Sequence, residues 1–172
     1  MNRIENLNST APADSVALTG PFGFHPDEIT LGEPTRAARL KWVVIVNDSL
    51  AAGLQVNAAV CVSAATAVRV AGMLGPDATD ADGTVHAGLP WAGCTVLAAA
   101  SADIAAIRAK TIGADDLFVV DMPDFAQETR VYNDYIAHVA ETPTSDLGAG
   151  ALSIVGPRNR VDRLVKRLSL LG

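Results

Sequence analysis

Apolar positions along the chain change period several times, and each change marks an element. Lys41-Trp42-Val43-Val44-Ile45-Val46 is a β-branched run closed by the turn-forming Asn47-Asp48-Ser49, which predicts a strand buried on both faces rather than an alternating edge. From residue 54 to about 73, Leu54, Ala58, Cys61, Val62, Ala65 and Val68 recur at three- and four-residue steps, with Gly53 before them and Gly72 and Gly75 after. That is the period of a helix, Ala-rich and nearly uncharged, expected to pack close to the sheet. Residues 75–90 are polar and rich in Gly and Asp, hence a loop. Residues 94–100 read as a second strand, Ser101 as an N-cap, and Ile104 and Ile107 as one face of a helix reaching residue 110. A third strand is predicted over 117–121 and a third helix over 125–139. After Gly148-Ala149-Gly150 come a fourth strand over 151–155 and a closing amphipathic helix carrying Val161, Leu164, Val165 and Leu168.

Strands alternating with helices predict an α/β fold, a mostly parallel sheet with helices on both faces. Residues 1–35 hold Asn, Ser, Thr, Pro and Gly without sustained periodicity. They are expected to form an N-terminal extension, flexible at its start, whose Phe22-Gly23-Phe24 has the apolar groups to be pinned against the body. Residues 36–172 are expected to form a single α/β domain.

Composition narrows the function classes. The chain of 172 residues is 49% hydrophobic, enough for a core, and 19 Asp+Glu against 13 Lys+Arg give a net charge of −6. That balance disfavours nucleic acid as a partner, since phosphate binding rests on Lys and Arg. The two cysteines, Cys61 and Cys94, form no CxxC or Cys/His cluster, so neither a disulfide scaffold nor a zinc site is expected. No apolar run approaches a membrane span and no signal-peptide pattern opens the chain, so a cytoplasmic location without membrane contact is expected. GxGxxG and P-loop motifs are absent from the sequence, and no cofactor is expected.

The richest stretch for chemistry is Asp48 and Ser49 with Gln55 and Asn57, between the first strand and its helix. In open α/β sheets, ligands collect beyond the carboxyl ends of strands, where helix N-termini offer free N–H groups. Turn formation and capping are the competing roles. Asp121 closes the third strand, so Asp48 and Asp121 are a candidate acid–base pair at one sheet edge. Capping by Asp121 or Asp124 competes with that role, and Gln127, Tyr132 and Tyr135 follow soon after. Tyr132 and Tyr135, three apart on a helix, suit a core edge better than a site. Asp80-Ala81-Asp82-Gly83 resembles part of a calcium loop, but Ala78 and Leu89 stand where ligands are needed, and His86 has no second ligand nearby; no metal is expected. Ser49 and Ser63 lack a GxSxG context and Cys61 sits mid-helix, so nucleophilic catalysis is not expected. Arg158, Arg160, Arg163, Lys166 and Arg167 make the last helix basic, as a helix C-terminus favours.

Taken together, residues 41–50, Gly53-Leu54-Gln55-Val56-Asn57-Ala58-Ala59, Val119-Val120-Asp121-Met122 and Ile154-Val155-Gly156-Pro157 with Val161-Asp162-Arg163-Leu164 resemble the domain-of-unknown-function family DUF2000, which is related in fold to the type II peptidyl-tRNA hydrolases. The resemblance implies a three-layer α/β/α domain around a mixed, mostly parallel four-stranded sheet with one strand antiparallel, often a homodimer, with a site where the first helix begins. Asp48, the Ala58-Ala59 pair, Cys61 and Asp121 agree with the hydrolase pattern. Val56 stands in place of its lysine, Val60 of its glutamine and Ser63 of its histidine, so Ser63 joins Ser49, Gln55 and Asn57 as candidate ligand contacts. The leading expectation is a small-molecule or peptide-binding module. The alternatives are an ester or amide hydrolase using Asp48 and Asp121, or a structural homodimer.

Overall fold

The computed structural model describes residues 22–172; the start of the expected extension, residues 1–21, lies outside the described residues. β1 (Leu40–Asn47) holds the middle of the main sheet and leads into α1 (Ala52–Arg69). The hairpin β2 (Ala78–Thr79) and β3 (Val85–His86) follows, then β4 (Thr95–Ala99), α2 (Ser101–Thr111) and β5 (Phe118–Met122). α3 (Tyr132–Glu141), β6 (Ala151–Pro157), α4 (Arg158–Val165) and β7 (Ser169–Leu170) complete the described chain.

The main sheet has the order β5-β6-β1-β4-β7. β1 pairs parallel with β4, whereas β6 runs antiparallel to both of its neighbours, β1 and β5, and β7 runs antiparallel to β4. The sheet is therefore mixed, as expected, but it has five strands rather than four, and a single neighbouring pair is parallel. Two facts explain the difference. β6 inserts between β1 and β5, so these two strands, which point the same way, do not touch. The closing helix stops at Val165 instead of reaching Leu168, and Ser169–Leu170 then satisfies the outer edge of β4, which would otherwise present unpaired backbone groups.

β1 is buried along almost its whole length, Val43 to Val46 being 0% exposed, as a central strand covered on both faces must be. Trp42, Val44 and Val46 pack with Ala58 and Val62 of α1 in one cluster. Val43 and Ile45 pack with Ile104 and Ile107 of α2 and Val161 and Val165 of α4 in the other. Helices thus cover both faces. On the α1 side a hydroxyl chain crosses the core: the Trp42 indole N–H donates to Ser153 Oγ at 2.9 Å, Ser153 contacts Thr66 Oγ1 at 2.7 Å, and Thr66 donates to the Val62 carbonyl at 2.7 Å.

α1 ends at Arg69, short of residue 73, because another segment takes its next backbone groups. The Ala71 N–H donates to the Phe22 carbonyl and the Phe24 N–H donates to the Ala71 carbonyl. Phe24 is buried in the α1-side core, its ring centroid 4.8 Å from that of Trp91. The third helix likewise differs from its expected span. A 3-10 turn over Asp124–Gln127 precedes a break, and α3 begins only at Tyr132, since β-branched Thr129 and Val131 disfavour continuation and the Thr129 hydroxyl bonds back to the Phe125 carbonyl. The 75–90 stretch, expected as a loop, includes the β2–β3 hairpin. Its turn is held by Asp80, whose Oδ1 accepts from the Asp82 and Thr84 N–H groups at 2.9 Å each. These bonds, led by that from Thr84 and joined by His86, lower the Asp80 pKa.

Candidate functional site

Beyond the carboxyl end of β1 the chain turns through Asn47-Asp48-Ser49. Asn47 Oδ1 accepts from the Ser49 N–H at 3.0 Å and from its hydroxyl at 2.8 Å, an Asx turn that consumes both Ser49 donors. Gln55, in the first turn of α1, donates its side-chain amide to the Asp48 carbonyl at 3.3 Å. Ser49 and Gln55 are thus occupied in building the strand-to-helix connection. Ser63 lies half-buried further along α1. Ala51, not a polar residue, holds the N-cap position of α1.

Asp48 and Asp121 are not brought together. Asp121 is in register with Leu152, and Leu152 with Ile45, so Asp48 lies three residues further along and two strands across, on the order of 14 Å away between Cα atoms. Directly paired residues share a face, and Ile45 and Leu152 belong to the α2-side core. The Asp121 carboxylate is taken on that side by Arg108 of α2, at 2.5 Å. The acid–base pair expected from sequence therefore fails geometrically: period-two alternation turns Asp121 toward α2, while Val120 and Met122 face α1.

Ser101 also plays another part than the expected cap. Ala100 holds the N-cap position of α2, and the Ser101 hydroxyl donates to Asp124 Oδ2 at 3.3 Å while accepting from the Ala149 N–H at 3.1 Å. Gly148, at φ +65°, lies against Asp124, and a Cβ there would fall 2.1 Å from Asp124 Oδ2.

A cleft of about 480 Å³ lies between α1 and α3 along the sheet edge formed by β5. α1 contributes Cys61, Val62 and Ala65, and β5 contributes Val120, Asp121 and Met122. Ala126, Thr129, Arg130, Tyr132 and Tyr135 line it from the segment that follows. Its size and largely apolar lining with a few polar groups are those of a small-molecule site. α3 buries none of its own residues; it is held by Phe125, whose ring stacks on His138 with centroids 3.8 Å apart and meets Tyr135 at 6.1 Å. The break before α3 sets Tyr132 and Tyr135 as a tilted pair, centroids 5.5 Å apart. Burial, then Tyr132, then the Asp121 charge raise the Tyr135 pKa. Beside the cleft, the Gln127 amide donates to the Leu54 carbonyl at 2.8 Å and to Asn57 Oδ1 at 2.9 Å, so Asn57 holds the cleft's two walls together. Sequence reasoning assigned the tyrosines to a core edge; the available signal was their three-residue spacing after a Thr129/Val131 break.

Among the described residues no group of three or more His, Cys, Asp or Glu is placed to hold a metal, and no helix is long and apolar enough to cross a membrane. Residues 40–172 match the family described as protein of unknown function, DUF2000. The chain belongs to this family. Its fold is similar to that of a solved protein of unknown function from Agrobacterium tumefaciens strain C58, with a TM-score of 0.71 and 16% identity over 78% of this chain and 98% of that one. No curated protein matches DUF2000's member here in sequence.

Proposed function

We propose that this DUF2000 protein is a small-molecule-binding module whose ligand lies in the α1–α3 cleft. The supporting observation is the cleft itself: a 480 Å³ space lined by Val62, Ala65, Val120 and Met122, with two tyrosines on a helix that has no buried residue of its own. A stable core has little reason to leave such a space open. The relation to type II peptidyl-tRNA hydrolases and the three-layer arrangement belong to the same reading, supported by helices on both sheet faces and by one long strand, β6, running against its neighbours. Hydrolase chemistry does not, because Val56 and Val60 are exposed on α1 where the resemblance implies a lysine and a glutamine. No turnover of peptidyl-tRNA is expected. A homodimer would cover the row formed by Val56, Val60 and Val68, which are 61%, 59% and 87% exposed at four- and eight-residue steps. The two free thiols, Cys61 and Cys94, support a reducing, cytoplasmic setting.

The test is titration with the neutral apolar dye N-phenyl-1-naphthylamine, followed by its fluorescence. Saturable binding is expected, and Ala65→Trp, which fills the cleft, should abolish it while leaving the melting curve cooperative. Dye binding that Ala65→Trp leaves intact would place the apolar site elsewhere, and absence of saturable binding would overturn the reading.

A further inference from the structure

Of the charged groups that line the cleft, one is neutralised and one is not. Asp121, on the β5 wall, turns its carboxylate toward α2, where Arg108 binds it. Arg130 takes part in none of the ion pairs formed among the described residues, which are Glu28–Arg39, Asp162–Lys41, Asp80–His86, Asp121–Arg108 and Asp116–Arg160. The nearest acids in sequence, Glu128 and Asp134, do not line the cleft. An apolar space thus borders on a single guanidinium that lacks a carboxylate, and a guanidinium offers a planar fork of donors suited to a carboxylate.

Building on the cleft reading above, we propose that the ligand is an amphipathic carboxylate: a small aryl or branched-alkyl acid whose apolar body lies among Val62, Ala65, Val120 and Met122 and whose carboxylate pairs with Arg130. Tyr132 and Tyr135 add aromatic surface against which a flat ring can tilt. Because the Asp121 carboxylate is turned to α2 and paired there with Arg108, Arg130 sets the sign of selection. With the acid already satisfied, a ligand ammonium gains little there, while a carboxylate answers the remaining positive charge. Arg130 is exposed, so the gain from charge is modest and most of the affinity comes from the apolar body.

Three near-isosteric probes separate the terms: 2-naphthylacetate, 2-naphthylacetamide and 2-(2-naphthyl)ethylamine, each competing with N-phenyl-1-naphthylamine on the full chain. The carboxylate should displace the dye at about a fivefold lower concentration than the amide, with the amine weakest. Raising the salt from about 0.05 M to about 0.5 M should narrow that gap. Arg130→Gln should bring acid and amide within about twofold of each other while dye binding persists. If the amide or the amine competes as well as the acid, or if Arg130→Gln leaves the preference intact, carboxylate selection is wrong although the cleft still binds apolar ligands. If the wild-type protein does not bind the dye and none of the three probes shifts its melting temperature, both readings fall.

Discussion

The Gln127 side-chain amide donates to Asn57 Oδ1 across 2.9 Å, joining the turn before α3 to the first half of α1, 70 residues earlier in the chain. The same nitrogen donates to the Leu54 carbonyl, so one amide fixes the spacing of two cleft walls. Gln127→Ala is expected to lower stability by about 1 kcal/mol and to weaken dye binding. Gln127→Glu should be worse, because it sets a carboxylate with no proton to donate against two acceptors. Urea melts of both variants, read beside dye affinity, check the ordering.

The buried hydroxyl chain gives a sharper effect on stability. Ser153→Ala removes the partner of the Trp42 indole N–H and of Thr66, leaving a buried donor unsatisfied at a cost of about 1–3 kcal/mol. Thr66→Val touches the same network, so the double variant should lose less than the sum of the two single variants. Additive losses in a double-mutant cycle would show that the two hydroxyls act separately.

Phe24 is 5% exposed and packed against Trp91. Phe24→Ala is expected to cost about 3 kcal/mol, and a chain beginning at residue 36, which lacks Phe22, Phe24 and Ile29, should melt at a clearly lower temperature. An unchanged melting point would mean that these rings decorate the core rather than belong to it.

Acid should act at Glu28. Its carboxyl is held down from 4.5 to about 2, chiefly by the Arg39 side chain and next by the His25 N–H. A group whose folded pKa is depressed contributes fully above its unfolded pKa and loses that contribution as the pH falls through the folded one. The stability gap between wild type and Glu28→Gln should therefore be constant down to about pH 5, shrink below 4.5 and close near 2.

Thiol chemistry separates the two cysteines. Cys94 is exposed as a residue, yet the atoms packed around its sulfur push the thiol up to about 12, so thiolate is scarce at mildly alkaline pH and alkylation should be slow. Cys61 lines the cleft, and a bound naphthyl acid should slow its labelling by iodoacetamide without altering that of Cys94, as mass spectrometry of the two peptides would show.

The long strands were legible because apolar residues dominate them: Trp42 to Val46 is an unbroken run that reads the same in sequence and in structure, and Ala151 to Val155 is interrupted only by Ser153. β7 was not, since two residues in the run Leu168-Ser169-Leu170-Leu171 carry no period and only the open edge of β4 makes them a strand. Asp48 and Asp121 looked alike because both close strands. Which face a strand-end side chain takes depends on register with neighbours, here Leu152 and Ile45, and a single chain read in order does not contain that. The cleft stayed hidden for a related reason. It arises from a helix break at residues 128–131, where tertiary bonds such as Gln127 to Asn57 override a pattern that reads as continuous helix.

Gly148 shapes how this protein can change over generations. Its left-handed backbone and its closeness to Asp124 mean that a side chain at 148 collides with a carboxylate that Ser101 in turn binds. Drift at this corner is therefore ordered: Asp124 must shorten first, which releases Ser101, and only then can position 148 accept Asn, the residue that best tolerates such a backbone after glycine. In relatives, residues at 101, 124 and 148 should vary as a set, with glycine at 148 wherever an acid stands at 124.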